Sequence, residues 1–228
     1  MYTGPNIIED GLVFAVDAGS TRSYPGSGTT ATNLAGSDTG TLTNGVSFGS
    51  GNGGVWQFDG VDDGIKFISE INLSSSSSVT YEGWVKAAGV SSHDRWFSGT
   101  SGAASAFHNP DLAISTNGQL RYIFANSGIG SWVEPSGLTI DTTKFSHLVY
   151  TFTNTGVVKI YINGTQEYTA THSNCTFPSV SNIMIGHRYD LNGEGILGDI
   201  PTVRVYSTAL TAAQVLQNYN AQKSRFGL

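Results

Sequence analysis

Charge is scarce in this chain. Asp, Glu, Lys and Arg make up 12% of the 228 residues, about half the share of roughly 25% usual for soluble domains. The 11 Lys and Arg are outnumbered by 17 Asp and Glu, giving a net charge of −6. No basic stripe or cluster exists, so the electrostatic footprint of a nucleic-acid binder is missing. Cysteine is nearly absent: Cys175 stands alone, which excludes an internal disulfide and with it a disulfide-framed secreted module. No apolar run approaches the ~20 residues of a membrane helix. Met1–Asp10 lacks a basic stretch followed by an apolar one, so no secretory signal is expected and synthesis in a cytoplasm is.

Glycine, by contrast, is plentiful at 29 residues, and Ser and Thr are common. That composition fits many short strands and turns. At this length a single all-β domain of roughly 200–250 residues is expected. The clearest local signal is Gly156–Tyr168, where two alternating patterns flank Asn163-Gly164. Asn-Gly marks a tight type I′ hairpin, because both central residues must take positive φ. Asn117-Gly118 is a second such signal, between Asp111–Ser115 and Gln119–Ala125. Other strand candidates are Leu12–Val16, Leu42–Phe48, Val55–Phe58, Gly64–Ile68, Val79–Lys86, Arg95–Ser98, Phe145–Thr153, Thr165–His172, Asn182–His187 and Ile200–Tyr206. Roughly a dozen strands with turn signals every 8–12 residues predict a two-sheet antiparallel sandwich.

One helix is expected, near the C-terminus. Thr211-Ala-Ala-Gln214 is a capping box, and Ala212, Val215, Leu216 and Tyr219 form one apolar stripe at i, i+3, i+4 and i+7. The helix should dock through Val215, Leu216 and Tyr219. The expected organisation is an arm over residues 1–10, one domain over 11–221 and a tail over 222–228. Arm and tail are expected to be loose ends open to a partner.

Five segments in order resemble the laminin G-like, concanavalin A-like jelly rolls: Phe58-Asp-Gly-Val-Asp-Asp-Gly-Ile-Lys-Phe67, Val79-Thr-Tyr-Glu-Gly-Trp-Val85, Phe145-Ser-His-Leu-Val-Tyr-Thr-Phe152, the hairpin at Asn163-Gly164, and the run Gly198–Leu210. Phe145, Pro201 and Thr208 depart from the residues common in that family. The ends, Asp10–Ala18, Ser23–Thr30 and Gln217–Leu228, resemble this domain as carried by structural proteins of tailed bacteriophages. The resemblance implies a jelly-roll β-sandwich (all-β, with one short C-terminal helix) in a virion structural or decoration protein. Its implied partners are other virion proteins of capsid or tail and further copies of itself in a homo-oligomer, with no nucleic acid or membrane. The rival reading is a lectin-like module that attaches a virion to host surface glycans; a glycoside hydrolase comes third.

Chemistry is thin in the sequence. Glucanases on this jelly roll carry their acids as Glu-x-Asp-x-Glu on one strand, so that alternation points the carboxylates to one face. No such spacing occurs, and Glu82 and Glu167 each stand alone on their strands; a non-enzyme is expected. The five histidines show no metal-ligand spacing. Oxygen-rich turns at Asp59-Gly-Val-Asp-Asp63 and at Asp190, Asn192 and Glu194 offer ligands to calcium or to a sugar, against a plainer reading as turns. The family resemblance implies one structural calcium, with Asp199 as its carboxylate ligand. Trp96 and Trp132 adjoin loops and are candidate aromatic platforms.

Overall fold

The computed structural model describes residues 5–88, 93–100, 108–124, 129–191 and 193–228. Two antiparallel sheets, each of eight strands, stack face to face. Sheet A runs in the order β14 (Thr165–Thr171), β13 (Val157–Ile162), β12 (Ser146–Thr153), β7 (Ser78–Ala87), β16 (Leu197–Tyr206), β5 (Val55–Asp59), β4 (Ser47–Gly49). The long β16 is shared: its first residues pair with β5 and its last with β1 (Leu12–Asp17). Sheet B runs β11 (Ile129–Val133), β10 (Leu120–Phe124), β9 (His108–Ile114), β8 (Asp94–Thr100), β15 (Ser181–Ile185), β6 (Gly64–Phe67), β3 (Thr39–Thr43), β2 (Thr30–Thr32).

Alternation decides which side chains enter the sandwich. Tyr81, Leu148, Tyr150 and Ile160 from sheet A meet Phe97, Leu112, Tyr122 and Phe124 from sheet B in one continuous core. Ile162 packs partly buried against it. Trp84 is fully buried but on the other face of β7, where it joins Val55, Phe145 and Phe226. Both Asn-Gly hairpins form as read: Asn163 and Gly164 have φ of 51° and 83°, Asn117 and Gly118 of 67° and 76°. Another Asn-Gly, Asn44-Gly45, overturns an expected strand. Asn44 at φ 62° and Gly45 at φ 129° break the expected strand Leu42–Phe48 in two. They send β3 to sheet B and β4 to sheet A.

The helix α1 (Ala212–Gln222) lies on the outer face of sheet A and starts with the expected capping box. Gln214 N donates to Thr211 Oγ1 at 3.3 Å, and Thr211 N donates to Gln214 Oε1 at 2.8 Å. Its docking face keeps the expected Val215 and Tyr219, which stacks on Trp84 with centroids 5.8 Å apart, but turns Leu216 away. Val215, Asn218 and Ala221 are buried, whereas Leu216 is 46% exposed. The cause is polar: Asn218 reaches the buried Glu82, donating to its Oε2 at 2.6 Å and to Tyr206 Oη at 3.0 Å. That carboxylate also accepts from Arg204 Nη1 at 2.5 Å and lies 3.2 Å from His147 Nε2.

The described part of the arm, residues 5–10, and the tail are docked, contrary to the expected loose segments. Ile8 N donates to Asn218 Oδ1 at 2.8 Å, and Gln217 Nε2 donates to Asn6 O at 2.8 Å. In the tail, Phe226 stacks on Trp84 with centroids 4.3 Å apart. Arg225 binds Asp17 at 2.9 and 3.0 Å and the carbonyl of Gly54 at 2.6 Å. Phe226 and Arg225 of the tail are thus spent on the domain itself, while Leu228 stays exposed.

Candidate functional site

The outer face of sheet B, at the end formed by β8–β11, gathers an unusual share of the scarce charge. A β-bulge at the start of β8 sets it up. Arg95 opposes Ala113, but Phe97 already opposes Leu112, so Trp96 and Phe97 both turn into the core while Arg95 and Ser98 face outward. The Trp96 indole lies against sheet A so closely that a Cβ on Gly83 would sit 2.7 Å from it. Trp96 is therefore a core residue with no exposed surface, and the expectation of a platform there is corrected.

Arg95 lies outside the core yet is only 2% exposed. Its Nε donates to Asp111 Oδ2 at 2.5 Å, and Asp111 Oδ1 accepts from Ser98 Oγ at 2.6 Å. A second arm of the guanidinium donates to Glu194. Glu194 belongs to the segment before β16, which lies against the start of β8: Arg95 N donates to Glu194 O at 3.3 Å. Arg188 joins from the same segment, 3.7 Å from Glu194 and 3.1 Å from Asp190 Oδ1.

Trp132, half-buried on the edge strand β11, lies beside this group. The Arg95 guanidinium is 5.1 Å from its ring centroid, and the His93 ring is 4.6 Å away. Arg121 Nη1 donates to His93 Nε2 at 2.9 Å, while His93 Nδ1 lies 3.4 Å from Glu194 Oε1. An accepting Nε2 puts the imidazole proton on Nδ1, facing the carboxylate. Burial and the nearby Arg121 and Arg95 push the His93 pKa down, against the pull of Glu194. Arg121 also donates to Glu134.

Of the expected site residues, the structure brings together Trp132, Glu194 and Asp190. Asn192 lies outside the described residues. Asp199 lies elsewhere, at the start of β16, in a cleft of about 310 Å³ with Gln57 and Thr142. It accepts from Gln57 Nε2 at 3.4 Å and is paired in register with Lys86. A lone carboxylate beside a lysine is a poor start for a cation site. Larger clefts, of about 540 Å³ along the N-terminal arm and about 600 Å³ over Thr39, Thr41 and Thr43, hold no comparable polar group around an aromatic ring. Sequence reading missed Arg95, Asp111 and Arg121. The available signal was a charged residue within a strand, in a chain with little charge.

A family profile described as the concanavalin A-like lectin/glucanases superfamily (Laminin_G_3) matches residues 58–216. No curated protein sequence matches the chain. Solved structures share the fold at low identity. Trypanosoma rangeli sialidase in complex with sialic acid superposes with a TM-score of 0.70 at 14% identity, over 94% of this chain and 33% of the sialidase. The chain thus spans about a third of that enzyme. Domain 4 of AbnA, a GH43 extracellular arabinanase from Geobacillus stearothermophilus, solved with arabinotriose, gives 0.66 at 20% identity over 93% of this chain and 100% of that domain. The binding domain of botulinum neurotoxin serotype G gives 0.67 at 14% identity, over 93% and 51%.

Proposed function

We propose that this chain, which belongs to the concanavalin A-like lectin/glucanases superfamily, is a non-enzymatic carbohydrate-binding module. Its binding surface is the outer face of sheet B around Trp132, and its ligand is an uncharged glycan. The observation that carries this is the fixed lattice of guanidinium and carboxylate groups beside a half-buried indole. Sugar hydroxyls donate and accept, which suits such a lattice, while the C–H face of a sugar ring suits an aromatic side chain. Arg95, Arg121 and Arg188 contribute three positive charges. Asp111, Glu134, Asp190 and Glu194 contribute four negative ones. An acidic sugar would find every guanidinium engaged and a surplus of carboxylate. The same pairing argues against hydrolysis, which needs one carboxyl free to give a proton and a second as nucleophile or base.

The likeness of the chain ends to tailed-phage structural proteins makes a virion surface the setting we propose for this module. The docking of residues 5–10 and of the tail supports glycan binding over capture of a subunit by loose termini. A glycan array followed by calorimetry tests the reading. Neutral oligosaccharides should bind in preference to sialylated ones, and Trp132→Ala should weaken binding at least about tenfold, as expected for a central aromatic contact. Binding to no glycan, or only to acidic ones, would overturn it.

A further inference from the structure

The cleft of about 540 Å³ along the N-terminal arm has a chemistry of its own, and none of the residues around Trp132 lines it. Its floor is β1 and the end of β16, where Ala15 is in register with Arg204. The arm supplies Ile7 and Glu9, and is held by the bonds from Ile8 N to Asn218 and from Gln217 to Asn6 O. The segments flanking β2 supply Arg22 and Leu34. They are pinned to the floor: Leu34 N donates to Ala15 O at 2.7 Å, and Asp17 N donates to Ser23 Oγ at 3.1 Å. Gln222, at the end of α1, completes the lining. Two of the lining charges are already matched, Asp17 by Arg225 and Arg204 Nη1 by Glu82. Other polar groups are not. Arg204 is only 4% exposed yet lines the cleft, and its Nε and Nη2 have no partner among the described residues. The Gln222 Oε1 is buried with no hydrogen-bond partner. Leaving such groups unsatisfied is costly. Arg22 and Glu9, both exposed, enter no ion pair among the described residues.

We infer that this cleft binds a short aliphatic peptide with free ends, a di- or tripeptide. Its carboxylate accepts from Arg204 and Arg22, an N–H group donates to Gln222 Oε1, and its ammonium pairs with Glu9. One unmatched cation and one unmatched anion select a zwitterion over a simple anion or cation. Guanidinium groups suit a carboxylate because their N–H donors match its two oxygens. Ile7, Leu12 and Leu34, all partly buried, offer aliphatic surface to the ligand's side chains. No aromatic side chain lines the cleft, which argues against a sugar there. The size fits as well. A cube of this volume has an edge of about 8 Å, and two or three extended residues span about 7–10 Å. The volume lies within the usual range of small-ligand pockets.

The test titrates the full chain with leucyl-leucine, its C-terminal amide, its N-acetyl form and glycyl-glycine. Calorimetry should show one site for leucyl-leucine with Kd of about 10⁻⁴–10⁻³ M, as expected for a ligand of this size. The melting temperature should rise by about 3–10 °C at about 10 mM dipeptide. Blocking either end, or removing the side chains as in glycyl-glycine, should weaken binding. Arg22→Ala and Glu9→Gln, at exposed positions without partners, should fold normally and each bind leucyl-leucine about three- to tenfold more weakly. The amide should be indifferent to Arg22→Ala, and the N-acetyl form to Glu9→Gln. Trp132→Ala should bind the dipeptide as the wild type does, so this result and that of the glycan array stand apart. Absence of both heat and thermal shift with leucyl-leucine would overturn the site. So would equal binding of glycyl-glycine, or an affinity unchanged in both Arg22→Ala and Glu9→Gln.

Discussion

Glu82→Gln is the most informative single change to the scaffold. Glu82 is fully buried, and its two oxygens hold Arg204, Asn218 and, at 3.2 Å, His147. Glutamine keeps the shape but removes the charge that Arg204, itself 4% exposed, depends on. Breaking one side of a buried ion pair costs about 3–5 kcal/mol, because the remaining charge stays desolvated and unpaired. For a domain of this size each kcal/mol moves the melting temperature by about 2–4 °C, so a loss of about 6–20 °C is expected. The acid response should change as well. Burial alone would raise the Glu82 pKa, but Arg204, His147 and Asn218 together hold it well below the usual carboxylate range. A carboxylate depressed in the folded state stabilises above its unfolded pKa of about 4.3, and that contribution drains away as pH falls through the folded value. Calorimetric melts of the wild type should therefore lose stability between about pH 5 and pH 2, and Glu82→Gln should lose less over that window. A variant within about 1 kcal/mol of the wild type at pH 7 would refute the idea that this carboxylate organises the helix and the arm.

Two further changes probe the docked C-terminus. Phe226→Ala removes a ring that is 9% exposed and stacked on Trp84; a loss of about 2–4 kcal/mol in denaturant titrations is expected, and a neutral result would mean the tail is loose after all. Thr211→Ala should cost about 1 kcal/mol through the lost cap, whereas Leu216→Ala, on the exposed side of the same helix, should stay within about 0.5 kcal/mol; the reverse order in thermal melts would contradict the observed docking face.

Much of the sandwich was readable because strand periodicity and turn chemistry agree locally. The two Asn-Gly turns chosen as hairpins have the left-handed backbone that the pair demands. The missed break at Asn44-Gly45 used the same chemistry, but there the turn switches sheets instead of closing a hairpin, and the flanking alternation looked continuous. The helix was legible at its cap and less so at its face. An apolar stripe ranks Leu216 above Asn218, and only the distant Glu82, 136 residues away in sequence, reverses that order. The candidate binding face was half legible. Trp132, Asp190 and Glu194 were named from loop composition. The Arg95–Asp111 pair that seats Glu194 depends on a bulge, which places Trp96 and Phe97 on one side of the strand and defeats simple alternation.

One side chain ties the arm to the sheet: Asn218 accepts from Ile8 and donates to Glu82 beneath the helix. That side chain lies on the outer surface of sheet A, across the full thickness of the sandwich from Trp132. The domain therefore has a back and a front. Asn6, Ile8, the helix and Phe226 are held on the back, and Trp132 lies on the front. The sugar-binding face proposed above is thus turned away from the helix, the arm and the tail, and a ligand there need displace none of them.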